Sequence, residues 1–224
     1  MYDNFVIQTS RSLAPQIRSV LPAVGLILTI TFLVLAATLL LRSWQEIPLG
    51  HLTEDPARVV GFPFYIGFLS NIGIMFWSAT VAICLFSATL VRQQNGLWFK
   101  PFLYASGCLT LLLTLDDLFL LHERVFPNYV GLSEEFVLAG YVMLMLLYLF
   151  KFSTVIFKTE YLLLGLALCF FGISVVVDIL PISQYVSLPV RVALLEDGAK
   201  FAGIVSWLVY FTRVSALALQ HRVG

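Results

Sequence analysis

An all-α, polytopic membrane bundle of six transmembrane helices, with both termini cytoplasmic, is the fold class this sequence predicts, and three observations predict it. Hydrophobic residues make up 60% of the 224 positions and charged residues only 12%, against about a quarter charged in soluble domains. The apolar residues fall into runs of about 20, the helix length that crosses a hydrocarbon core of about 30 Å. Basic residues flank those runs unevenly, eight on one side and four on the other.

The runs, read between charged or Pro/Gly-rich breaks, place spans near 20–41, 64–91, 101–121, 135–152, 160–180 and 190–212 of a single transmembrane domain, 1–224. The first run is too long for a cleaved signal and shows no small-residue cleavage pattern before Arg42, so it is expected to stay in the mature protein. The connection 42–63 is the longest, and Thr53-Glu54-Asp55-Pro56 within it reads as the start of a short interfacial helix with Thr53 as N-cap. Trp44, Tyr65 and Trp98 suit interfacial anchors. Ser133 is a good N-cap for the fourth span, with Glu134 and Glu135 in the first turn facing the positive end of the helix dipole. Asp178 ends the fifth span just before Pro181, and Pro189 opens the sixth.

Even helix count puts the termini together, and the basic bias sets their side. Arg11, Arg18, Arg92, Lys100, Lys151, Lys158, Arg213 and Arg222 share the side of the termini, against Arg42, Arg58, Arg124 and Arg191 opposite, which predicts a plasma or bacterial inner membrane protein with cytoplasmic ends. The acids are more lopsided, since all but Asp3 and Glu160 lie on or toward the outer side. Acids contribute little to orientation, so this bias asks for another cause. Thirteen basic residues balance thirteen acidic ones, which leaves no basic face for a nucleic-acid backbone. Cys84, Cys108 and Cys169 all fall within spans and imply no disulfide framework.

Charges inside a span are costly and mark function or pairing. In the third span Asp116 and Asp117 lie seven to eight residues before Arg124, and in the sixth Glu196 and Asp197 follow Pro189 by seven and eight, so both acidic pairs sit about 10 Å deep. Of each pair, Asp117 and Glu196 are favoured to face a shared cavity. Lys200 stands one turn beyond Glu196 in the Glu-before-Lys order of a helical ion pair. Four carboxylates against one ammonium still leave a deficit of three positive charges, which a bound cation, protons or water must cover. His122 and Glu123, Glu134 and Glu135, and Asp178 add a rim on the same side, with Ser70, Asn71, Tyr141 and Ser174 at similar depth as supporting polar groups.

A faint internal echo links the last four spans. Asp117 precedes Glu134 by 17 residues and Asp178 precedes Glu196 by 18, with Tyr129-Val130-Gly131-Leu132 and Tyr185-Val186-Ser187-Leu188 in the two connections. A duplication would set the site between two hairpins.

The chemistry of these residues is open to three readings. Oxygen-rich ligation by Asp117, Glu123, Asp178 and Glu196 suits Mg²⁺, Ca²⁺ or Mn²⁺, and His122 admits Zn²⁺. The leading expectation is therefore a metal-dependent, hydrolase-like membrane enzyme acting on a lipid-like substrate at the outer face, with Asp116, Asp117, Glu196, Asp197 and Lys200 as catalytic candidates. The same residues also suit an ion- or proton-coupled transporter or channel. A non-catalytic membrane subunit would use them only to hold helices in register, with Arg191 adding a further partner. No G-x-S-x-G, Walker loop, H-E-x-x-H or Glu-x-x-His unit occurs, and the inner halves of the spans offer few polar groups, which favours a one-sided site.

Overall fold

A computed structural model describes residues 13–91, 99–179 and 189–220. Among the described residues the chain is helical, with no strand: α1 (Leu13–Gln45), α2 (Leu49–Thr53), α3 (Pro56–Val60), α4 (Phe68–Leu90), α5 (Phe99–Phe119), a π-helix (Leu121–Val130), α6 (Glu134–Ile156), α7 (Tyr161–Ile179) and α8 (Pro189–Gln220). Six of these, α1 and α4 to α8, are long and apolar enough to cross a membrane. Trp98, Pro181 and the Tyr185–Leu188 arm of the internal echo lie outside the described residues, as does the side chain of Arg191.

The chain divides into two compact units, Met1–Ile66 and Gly67–Gly224. In the first, α1 carries the most apolar of the six long stretches, Val20–Gln45, with a mean hydropathy of 2.7. The connection that follows folds into two short helices rather than one. Asp55, not Thr53, caps the second: its carboxylate accepts from the Ala57 and Arg58 backbone N–H groups at 2.8 and 3.3 Å. Pro56 occupies the first helical position, where its missing N–H costs nothing. Thr53 instead returns its hydroxyl to the Leu49 carbonyl and ends the helix before it.

In the second unit α8 packs along both α4 and α7, and α4 packs along α5. The hairpins of the internal echo are built differently, because α7 and α8 lie together while α5 and α6 touch at few positions. Close approach needs small residues, since lipid gives helices no hydrophobic incentive to associate. A Cβ on Gly203 would stand 2.6 Å from the Phe171 ring, and one on Gly107 2.6 Å from the Leu85 side chain. Gly203→Ala is therefore expected to destabilise the bundle by about 1–3 kcal/mol through overpacking. Gly165→Ala, with nothing within 4 Å of the added methyl, is the control. Equal thermal midpoints for the two variants in detergent would remove this account of the α7–α8 contact.

The interior is aromatic and hydroxylic. Trp207, Tyr210, Phe102 and Phe211 are fully buried. Their polar atoms have partners: the Trp207 indole N–H donates to Thr110 Oγ1 at 3.0 Å, and Tyr210 shares a hydrogen bond with Thr159 at 2.9 Å. Tyr148 and Ser106 are joined at 2.6 Å. Rings of Phe102, Tyr148, Phe152 and Phe211 contact one another at centroid distances of 5.4–6.0 Å. This layer fills the half of the unit away from the acidic residues. Beyond it, Arg213 forms a two-point pair with Glu160, which holds that carboxyl below its ordinary range and ties the α6–α7 turn to α8.

Candidate functional site

Local sequence sets up the site at the end of α5. The helix stops at Phe119, and Leu120 takes the left-handed conformation, φ 52°, uncommon for any residue but glycine. The chain turns there and resumes as the π-helix, a form that recurs at functional positions. Asp116 fixes this turn, because its Oδ1 accepts the His122 backbone N–H at 3.0 Å. The same turn brings the His122 ring back over α5, where Nδ1–H donates to Asp116 Oδ2 at 2.5 Å. An ionised carboxylate only accepts, which sets the proton on Nδ1 and leaves Nε2 as the free ring nitrogen. The Tyr141 hydroxyl, from α6, completes the set by donating to Asp116 Oδ1 at 2.8 Å.

Asp117, one residue on, points about 100° around the helix and reaches a different flank. The Lys200 ammonium of α8 donates to its Oδ1, and the Trp77 indole N–H of α4 donates to its Oδ2 at 3.2 Å. The helical spacing predicts Lys200 beside Glu196, but the ammonium spans to Asp117 across the helix interface. Two polar pairs thus stand side by side, Asp116–His122 toward α6 and Asp117–Lys200 toward α4 and α8.

Both pairs line one cavity of about 940 Å³. Asp116, Asp117, His122, Glu123, Asp178, Glu196 and Lys200 all contribute to its wall. Asp197 does not: its side chain is exposed off the cavity, a consequence of the 100° step from Glu196. Of the supporting groups, Tyr141 and Ser174 line the cavity and Ser70 and Asn71 do not. Trp77 was not foreseen. The available signal was its position near the middle of an apolar span, away from interfacial belts, where an indole N–H needs an internal acceptor.

The cavity has a polar end and an apolar end. Along α6 its wall runs from Glu134 and Tyr141 to Met145 and Leu149, about 22 Å of helix. Leu168, Phe171 and Val175 of α7 face it on the other side. Several apolar wall residues, Val142, Leu146 and Val176 among them, are also more than half exposed, so the cavity opens sideways between α6 and α7. Among the described residues, no group of three or more His, Cys, Asp or Glu side chains stands close enough together to hold a metal ion. Of the residues expected as ligands, Asp117 is engaged by Lys200, and His122 is engaged by Asp116 through Nδ1 alone.

His122 follows the transmembrane part of α5, and its titration follows from its partners. Its bond to Asp116 holds the imidazole above its ordinary range, against burial that favours the neutral ring; Glu123 adds in the same direction and Lys200 opposes it. Glu123 and Glu134 lie 3.8 and 4.0 Å from Nε2. A raised folded-state value means that the stabilisation from this pair is complete below the unfolded value of about 6.5. It is lost as pH rises through the higher folded value. Wild-type protein is expected to lose more stability between mildly acidic and mildly alkaline pH than His122→Gln. Parallel pH profiles for the two in detergent would show that the pair does not titrate this way.

No curated protein and no solved structure matches this chain. A family model described as a domain of unknown function, DUF8692, matches residues 25–214, which takes in both polar pairs and the whole cavity wall, and the chain belongs to that family.

Proposed function

We propose that the second unit is a membrane-embedded enzyme that holds a lipid-like amphiphile in the cavity and cleaves it with water, using His122 as general base. The observation that carries this reading is a 940 Å³ cavity with ionisable groups at one end, aliphatic walls at the other and a lateral opening in a helix bundle. Soluble ligands need no such route, whereas a lipid can slide in from the bilayer with its tail along α6 and α7. Phe102, Tyr148 and Phe211 pack against one another and none of them lines the cavity; a closed aromatic layer of this kind suits one-sided access better than a transport path.

The dyad supplies the chemistry. Asp116 fixes the imidazole tautomer and stabilises the imidazolium that forms when Nε2 takes a proton from water. Hydroxide character at that water then attacks an acyl or comparable centre of the lipid head, and the proton on Nε2 returns to the leaving oxygen. Lys200, held by Asp117, is placed to stabilise negative charge that develops at the reacting group. The site is expected to face outward, following the basic bias of the loops. Divalent cations enter as a separate question, answered by running the same assay with and without chelator.

The test is to place the full chain in nanodiscs made from a bacterial total lipid extract and follow products by mass spectrometry. Wild type is expected to release a lipid fragment that His122→Gln does not release, with turnover rising as pH passes upward through the imidazole range. Absence of any wild-type product at every pH, with the fold intact, would overturn the enzymatic reading.

A further inference from the structure

Below its polar end the cavity has a definite depth. The deepest wall residues are Leu109 on α5, Leu149 on α6 and Leu168 on α7. One turn further along each helix, Ser106, Phe152 and Leu164 are buried and line no part of it. Ser106 also shares a 2.6 Å hydrogen bond with Tyr148, which ties α5 to α6 one turn below Leu109. Leu149 and Leu168 pack against the same buried core. Packed protein therefore closes the apolar end.

The course of α6 lets an open side and a closed end coexist. From Tyr148 onward the helix buries Tyr148, Phe152, Val155 and Ile156, whereas Val142, Leu146 and Leu147 before it are more than half exposed. The cavity is thus a wedge, open sideways at Val142 and Leu146 and shut at Leu149. The bond from Tyr141 to Asp116 sets one upper level on both helices. From there the floor lies about 10 Å away along α5, at Leu109, and about 12 Å away along α6, at Leu149. A saturated chain in its staggered, extended form gains about 1.3 Å per carbon, so this depth holds about eight to ten carbons.

We propose that Leu109, Leu149 and Leu168 are the stop of a chain-length gauge, and that the amphiphile taken by this site carries a chain of about eight to ten carbons whose terminal methyl rests on them. This rests on the amphiphile reading above and adds the chain class to it. Lipid tails are as apolar as leucine, so a chain entering from the bilayer gains nothing hydrophobic with each added carbon. Fit decides instead. Carbons beyond the stop either overpack a dense core or must bend out through the side opening.

The test uses alkyl glycerol ethers with a diazirine at the chain end, in octyl, decyl, dodecyl and hexadecyl forms. The ether resists hydrolysis, and the neutral head removes charge as a variable. Each probe is photolysed with the full chain in phosphatidylcholine nanodiscs, and labelled residues are identified by mass spectrometry. The octyl and decyl probes are expected to label Leu109, Leu149 or Leu168. The hexadecyl probe should label them about tenfold less than the decyl probe and shift to Val142, Leu146, Val176 or lipid. Leu149→Ala deepens the wedge and should bring the dodecyl probe to Leu109 and Leu168, whereas Leu147→Ala, exposed and off the cavity wall, should not.

Equal labelling of the stop by decyl and hexadecyl probes, or a decyl probe that labels the upper wall but never the stop, overturns the gauge while the amphiphile cavity stands. A folded Leu149→Ala variant with unchanged dodecyl labelling does the same, and the wild-type series decides alone should that variant not assemble. If no probe labels any cavity residue, the amphiphile reading itself is overturned.

Discussion

Lys200→Met is expected to be among the most destabilising single substitutions in the second unit, at about 2 kcal/mol. Breaking a fully buried ion pair from one side costs about 3–5 kcal/mol, and Lys200 keeps 40% of its side chain exposed while Asp117 keeps 11%, so solvent screens part of the loss. The cost comes from stranding Asp117, whose carboxylate would retain only the Trp77 indole N–H. Asp117→Asn in the same chain removes the stranded charge and should restore most of the stability, since a neutral amide still accepts from Trp77 and needs no counter-ion. Thermal unfolding of the two single variants and the double variant in detergent reads this directly as a double-mutant cycle. Strict additivity would show that Lys200 and Asp117 do not act as a pair.

Asp116→Asn is expected to leave the bundle folded and cut turnover by about 10⁴-fold. The asparagine carbonyl can still accept from the His122 backbone N–H and from Tyr141, which preserves the turn after α5. Its amide N–H₂, however, donates toward Nδ1, so the neutral ring moves its proton to Nε2 and loses its free base position. The magnitude is that of the same exchange in the serine-protease triad, where geometry survives and the tautomer is wrong. ¹⁵N spectra of histidine-labelled protein test the cause without any substrate: wild type should show protonated Nδ1 at His122, and the variant protonated Nε2. Tyr141→Phe removes one of three bonds to Asp116 and should cost far less. An Asp116→Asn variant with the wild-type tautomer and wild-type turnover would separate the dyad from the chemistry.

These two expectations differ in how much of each was legible from residues alone. Six apolar runs identified the spanning helices, and the structure extends several of them by a turn or more, notably α8, which runs on to Gln220. Seven-residue spacings to Arg124 and from Pro189 placed two acidic pairs at one depth, and members of both pairs line one cavity. Helical spacing pairs Lys200 with Glu196, because a sequence displays only the neighbours on one helix. A long side chain on α8 chooses among all carboxylates within reach, and Asp117 sits across a close contact that the sequence does not display.

Composition and periodicity by themselves determined that this protein is a helical bundle with six helices apolar enough to cross a membrane, and that its acidic residues gather toward one end. Those properties follow from local rules: burying unpaired backbone in hydrocarbon is forbidden, and charge inside a span must find company. Only the tertiary structure decided which charges keep which company. In a continuous helix Asp116 and His122, six residues apart, would lie about 9 Å apart along the axis and a third of a turn out of phase. The left-handed turn at Leu120 folds the chain back and makes them a bonded pair. Pairing of this kind depends on a single backbone dihedral and on helices far apart in the chain, and neither leaves a period in the sequence.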